Sequence, residues 1–172
     1  MKRLRDAFAQ GHVILDLAAS DMSSAIDQTV SHLVMDGLLD ARASNAVSSS
    51  LRERELAAPT ALGHAVATPH TYIDGVSEPL VVFVRLEHAA NMGAPDGIPT
   101  RFLFFLIGAP DDAAQHLDTL AVIARLMSDD EFRYESSEAT SAADLLRAVD
   151  HFEWRMAPES VAVKAREDGL DY

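Results

Sequence analysis

The sequence contains no cysteine. That absence excludes disulfide staples, thiolate nucleophiles and cysteine-ligated zinc, and it fits a reducing compartment. Long apolar runs are missing too, since nothing approaches the ~18–20 residues that a membrane-spanning helix needs. The opening stretch Met1-Lys2-Arg3-Leu4-Arg5 is basic in the manner of a secretion signal, but no continuous apolar segment follows it. The expected location is cytoplasmic. Basic residues are scarce, 14 Lys and Arg against 27 Asp and Glu, which leaves a formal charge of −13. Nucleic acids and anionic membranes are bound largely through neutralised phosphates, so neither is an expected partner. Gly-x-Ser-x-Gly, Gly-x-x-x-x-Gly-Lys-Ser/Thr and Gly-x-Gly-x-x-Gly are all absent, and no cofactor is expected.

What remains is a globular composition, 48% hydrophobic over 172 residues, enough for one domain with a substantial core. Val13-Ile14-Leu15 with Leu17 reads as an edge strand. Ser20-Asp21 reads as a helix cap, followed by Met22, Ile26, Val30, Leu33 and Val34 at helical spacing and a stop at Gly37. A second helix is expected from about Ala43 to Leu56, ended by Pro59. His64 to Thr68 reads as a strand and Tyr72 to Pro79 as a loop. Leu80–Leu86 and Phe102–Gly108 are nearly unbroken apolar runs, the mark of strands covered on both faces. Asp111 to Met127 reads as a helix with Leu117, Leu120, Ala121, Ala124 and Met127 on its apolar face. Asp129 to Tyr134 reads as a short helix or strand, and Ser141 caps a last helix bearing Leu145, Leu146, Val149 and Phe152. Alternating helices and buried strands make the class α/β, a mixed or parallel sheet between helical layers. The domain is expected over residues 10–153, with 154–172 as a C-terminal tail or linker.

The chemistry concentrates in Arg54 to His70. His70 follows Pro69 at a strand end, where it either caps the strand or works. His116 stands near the start of the helix after Phe102–Gly108, and loops at strand carboxyl ends gather into the ligand crevice of α/β sheets. Arg54, at a helix end beside its competitor Arg52, has the planar fork that suits phosphate oxygens. Two histidines, an arginine and a helix N-terminus suit phosphoryl chemistry, with one imidazole attacking phosphorus and the other donating to the phosphoryl oxygens. A metal site built from His64, His70, His88 and His116 is the rival reading, but none has metal-ligand spacing, and no metal is expected.

These residues resemble the type-2 IIA domains (fructose/mannitol class) of the bacterial phosphoenolpyruvate-dependent sugar phosphotransferase system. The resemblance rests on Arg54-Glu55, Pro59-Thr60-Ala61-Leu62-Gly63 and Ala65-Val66-Ala67-Thr68-Pro69-His70. A second anchor is Phe104-Phe105-Leu106-Ile107-Gly108-Ala109-Pro110 with His116-Leu117 and Leu120-Ala121. It implies an α/β/α sandwich around a mixed sheet. It further implies that His70 accepts a phosphoryl group from the phosphorylated histidine-containing carrier protein and passes it to a cysteine of a IIB partner. By the same resemblance His116 is the second active-site histidine and Arg54 the arginine beside the phosphoryl group. The chain departs from the family pattern at His64, at Thr68 and at Thr71, where glycine is common, and His64 either adds to the site or blocks it. The cytoplasmic domains of bicarbonate and anion exchangers share this fold without phosphotransfer, so the alternative is a regulatory domain fused to a membrane transporter. A homodimer is compatible with either.

Overall fold

The computed structural model describes residues 1–76 and 78–157. The chain runs α1 (Lys2–Ala9), β1 (Val13–Leu17), α2 (Met22–Met35), α3 (Ser44–Ala57), β2 (Ala61–Gly63), β3 (Val66–Ala67), β4 (His70–Tyr72), β5 (Leu80–Ala90), β6 (Thr100–Gly108), α4 (Ala113–Met127), α5 (Asp130–Glu138) and α6 (Ala142–Arg155). A 3-10 turn, Pro110–Asp112, leads into α4. The strands form one sheet in the order β1-β5-β6-β3-β2, with β4 pairing on β6. Three pairings are parallel, β1 with β5 and both β3 and β4 with β6, while β5 with β6 and β2 with β3 are antiparallel. The sheet is mixed, as expected, and β1 lies at its edge.

The period of two in the strands sorts side chains into two cores. Val82, Val84 and Leu86 of β5, with Leu103, Phe105 and Ile107 of β6, pack against Ile26, Val30 and Leu33 of α2 and Val47 and Leu51 of α3. Val81 and Phe83, with Phe102, Phe104 and Leu106, face α1, α4, α5 and α6. Both faces are therefore covered, which gives the three-layer α/β/α sandwich and explains why these strands read as continuous apolar runs. Among the described residues no helix is long and apolar enough to cross a membrane.

Four local expectations need correction. The basic opening is an amphipathic helix, α1, with Leu4, Ala7 and Phe8 buried at i, i+3 and i+4 spacing. Burying large apolar side chains such as Leu4 and Phe8 is worth about 1.5–3 kcal/mol each, so this segment belongs to the core. His64 and Ala65 are not strand but the two central residues of the β2–β3 turn, with φ of 52° and 60°. Such turns favour Asn-Gly; here the strained pair is held by Asp96, whose Oδ2 accepts the His64 N–H at 2.8 Å. In α4 the buried stripe is His116, Thr119, Ile123, Leu126 and Met127, leaving Leu117 67% exposed. Reading only aliphatic residues rotated that face, because a histidine and a threonine belong to it. Leu56, expected as an apolar mark of the second helix, is likewise exposed, at 86%. Within the expected tail at 154–172, α6 continues to Arg155, and residues 158–172 lie outside the described residues.

Among the described residues the sandwich carries one buried arginine. Arg85 of β5 is 5% exposed and reaches across to Asp16, which stands on a bulge of β1 with φ of 58°. Its Nε and Nη2 donate to the Asp16 carboxylate at 3.1 and 2.9 Å, and its Nη1 donates to the carbonyls of Ser136, Ser137 and Ala139 at 3.2, 2.8 and 2.6 Å. Those carbonyls end α5, so one guanidinium ties two strands to a helix C-terminus, where a cation is favoured. Arg85→Met is expected to destabilise the domain by about 3 kcal/mol, because the carbonyls lose their donor inside the protein. Urea unfolding of the two proteins measures this; a change below about 1 kcal/mol would contradict it.

Candidate functional site

The position of His70 begins with a proline. β3 and β4 keep one register along β6, with Val66 opposite Phe102, Ala67 opposite Leu103, His70 opposite Leu106 and Tyr72 opposite Gly108. They are one strand interrupted at Pro69, which has no N–H for the ladder, while its carbonyl still accepts from Leu106 N–H at 3.0 Å. His70 therefore does not end a strand, as expected from the sequence, but starts a short parallel one at the carboxyl end of β6. The register also decides direction. Thr71, paired with Ile107, points to the α3 layer, where its hydroxyl bonds to that of Ser50. His70 and Tyr72 point to the opposite face, toward α4. Thr71 thus anchors the strand and leaves the pocket face alone.

Behind His70 runs a hydrogen-bonded chain that starts at the end of α3. The Glu55 carboxylate accepts from Thr60 N–H at 2.9 Å and Thr60 Oγ1–H at 2.7 Å, and the Thr60 carbonyl accepts from Thr68 N–H at 3.1 Å. The Thr68 carbonyl lies 2.8 Å from His70 Nδ1. A carbonyl only accepts, so Nδ1 carries the proton and Nε2 keeps its lone pair. In the neutral ring this bond selects the tautomer whose Nε2 is unprotonated.

The Tyr72 ring neighbours both histidines, its centroid 6.0 Å from that of His70 and 4.9 Å from that of His116. Burial pushes the Tyr72 phenol up, against the opposing pull of the Arg54 charge, which keeps it protonated at neutral pH. His116 is wholly buried on α4, and neither ring nitrogen has a partner. Its approach to the sheet depends on Gly108: a Cβ there would stand 3.0 Å from His116 Cε1 and 2.9 Å from Asp112 Oδ2. Burial lowers the His116 pKa, the Arg3 charge lowers it further, Asp112 opposes, and His70 adds a smaller lowering. His116 is consequently a neutral imidazole at pH 7. Asp112 Oδ2 accepts from Ala109 N–H at 2.9 Å, so the helix end beside His116 already holds a carboxylate.

Arg54 sits at the end of α3, half-buried, and donates from Nη1 to the Ala58 carbonyl at 2.9 Å. Its charge reaches Tyr72, which places it on the same edge of the molecule as the two histidines. His64 and His88 do not join them. His64 lies in the turn that precedes Val66, opposite the start of β6, and His88 lies near the end of antiparallel β5, at that same far edge. His64 therefore neither adds to the His70 environment nor blocks it. Among the described residues no group of three or more His, Asp or Glu side chains is arranged to hold a metal ion. Tyr72 has no role in the sequence reading, and Glu55 and Thr60 enter it only among the residues that carry the resemblance, not as a bonded pair. The i, i+2 spacing of His70 and Tyr72 was the available signal for the first, once strand rather than loop is recognised there.

Residues 6–151 match the family described as "Phosphoenolpyruvate-dependent sugar phosphotransferase system, EIIA 2", and the chain belongs to that family. Among particular relatives, the chain is 29% identical over 129 residues to the "PTS system fructose-specific EIIA component" of Haloferax volcanii, covering 75% of this chain and 82% of that protein. It is 37% identical over 82 residues to the "Electrogenic sodium bicarbonate cotransporter 1" of Sus scrofa, which covers 46% of this chain but 8% of the transporter. In structure it is similar to the nitrogen regulatory protein IIA-Ntr of Neisseria meningitidis, with a TM-score of 0.71 and 26% identity over 80% of this chain and 92% of that one.

Proposed function

We propose that this chain is a phosphocarrier that accepts a phosphoryl group on Nε2 of His70. The observation that carries the reading is the Thr68 carbonyl on Nδ1, which holds the nucleophilic tautomer before any partner arrives. In the transfer the Nε2 lone pair forms a bond to phosphorus as the donor's P–N bond breaks, its electron pair returning to the donor imidazole. The His70 ring becomes positive while Thr68 still accepts its Nδ1–H. His116, as a neutral imidazole, donates one N–H to a phosphoryl oxygen, and the Arg54 fork offsets the dianion. The donor is the phosphorylated histidine-containing carrier protein and the acceptor a cysteine of a IIB domain, both in the cytoplasm.

The partial similarity to a bicarbonate cotransporter supports a second reading, a regulatory domain of an anion transporter that performs no transfer. Incubation with phosphoenolpyruvate, enzyme I and the histidine-containing carrier protein separates the two. The phosphocarrier reading expects near-stoichiometric, acid-labile, alkali-stable phosphate on the chain. A folded chain that takes up no phosphate overturns it and leaves the regulatory reading.

A further inference from the structure

The described functional edge contains a cation that neither the family resemblance nor the sequence singled out. Arg3 stands in the first turn of α1, and its Nη2 donates to Gln115 Oε1, the residue before His116 in α4. Its Nη1 is shielded from solvent and has no hydrogen-bond partner. A guanidinium nitrogen buried without an acceptor is costly, so packing alone gives no reason to keep one there. The seam between the two helices is loose, a cleft of about 310 Å³ with Arg3, Gln115 and Thr119 in its wall. The Arg3–Gln115 bond bridges that cleft at the residue next to His116, whose buried ring has no hydrogen-bond partner.

We propose that Arg3 is a positioning residue for phosphoryl transfer, pinning the first turn of α4 through Gln115 and setting a fixed positive charge behind His116, so that this ring meets the phosphoryl anion as a neutral donor. The inference deepens the phosphocarrier reading and rests on it. The charged and titratable groups facing His116 are Arg3 from α1, Asp112 from the turn before α4, and His70 and Tyr72 from β4; β6 contributes only Gly108. Asp112 favours the imidazolium, whereas Arg3 and His70 oppose it. A protonated His116 would hold both the first helical turn and the incoming dianion too tightly for a group that must be passed on. Burial already disfavours that state, and the Arg3 charge disfavours it further without touching the phosphoryl group.

The test is an NMR titration of the His116 ring in the unphosphorylated, full-length chain, so it reads out whether or not the chain accepts phosphate. Arg3→Gln is expected to raise the His116 midpoint by about half a pH unit or more. Arg3→Lys, which keeps the charge, is expected to restore it. Arg5→Gln is the control for loosening α1, since Arg5 pairs with Asp150 and Glu153 of α6 and not with α4; it is expected to lower stability and leave His116 unmoved. In the phosphorylation assay the acid limb of the pH profile should move up in Arg3→Gln together with the midpoint. An unchanged midpoint in Arg3→Gln overturns the proposal, as does an equal shift in Arg3→Lys or Arg5→Gln, which would trace the effect to packing. A chain that titrates as expected but accepts no phosphate overturns the phosphocarrier reading while the electrostatic coupling of Arg3 to His116 stands.

Discussion

The phosphate on this chain is expected at Nε2 of His70, and His70→Ala is expected to carry none. Both halves follow from the backbone around Pro69. The Thr68 carbonyl oxygen lies 2.8 Å from Nδ1 and accepts its N–H, so attack through Nδ1 would need that proton removed and would bring phosphoryl oxygens against a carbonyl oxygen. Attack through Nε2 needs neither, and the positive charge that the ring acquires is stabilised by the same carbonyl. Nitrogen-15 NMR of the phosphorylated protein distinguishes the two ring positions. His70 is half-exposed and contributes little packing, so His70→Ala should stay within about 1 kcal/mol of wild-type stability while acceptance drops to background. Label on Nδ1 would mean that the Thr68 bond does not hold in the reactive state. Residual acid-labile phosphate on His70→Ala would assign the acceptor to another histidine, with His116 the nearest to hand.

Much of this arrangement was legible in the sequence because the two central strands are unambiguous. Leu80–Leu86, broken only by Arg85, and Phe102–Gly108 are almost unbroken apolar runs, which is what a strand between two helical layers requires. The cap at Asp21 was legible for a local reason, and the structure shows its carboxylate accepting Ser24 N–H at 2.7 Å. Less was legible where long-range contacts override local preference. His64 and Ala65 adopt positive φ without glycine at either position, because Asp96, 32 residues away in sequence, holds the turn from outside. Leu4, Ala7 and Phe8 form an amphipathic stripe that the flanking Lys2, Arg3 and Arg5 concealed. The strand β4 is only three residues long and follows a proline, too short for any period to register; its existence depends on continuing the β3 register along β6.

The site shows the same division. His70, His116 and Arg54 are chemically conspicuous types and were nameable from sequence. What prepares them is not conspicuous. Glu55 looks like one of many surface carboxylates, yet it closes the loop onto Thr60 and through it sets the Thr68 backbone. Gly108 looks like a strand terminator, yet it is the space that His116 and Asp112 occupy. Thr71 departs from the glycine common in the family, yet it bonds to Ser50 on the far side of the sheet. Departures near a candidate residue in sequence therefore fall on opposite faces in alternation, and only the sheet register tells which of them bear on the chemistry.

His116→Leu is expected to separate stability from function. The wild-type ring is fully buried with two polar nitrogens unpartnered, an arrangement that costs free energy and that an apolar side chain of similar size removes. At pH 8 the variant should be as stable as wild type or more stable by about 1 kcal/mol. The difference should then widen on acidification. Burial holds the folded-state pKa of His116 below its ordinary value of 6.5, so above 6.5 both states are neutral and the full stability is present. As pH falls below 6.5 the unfolded chain takes up a proton that the folded chain refuses, and stability is lost at up to about 1.4 kcal/mol per pH unit until the lower folded pKa is reached. The leucine variant has no such group and should lack that component, which urea unfolding at several pH values between 5 and 8 would reveal. Phosphoryl acceptance should nonetheless fall by about 10²–10³-fold, the usual consequence of deleting one donor to a developing anion. A loss of 2 kcal/mol or more at pH 8 would instead make His116 a residue of the core, and an unimpaired transfer rate would remove it from the site. The combination of raised stability and lost transfer is what a side chain held against its own folding preference produces, because a neutral ring kept free of partners is available to the phosphoryl group.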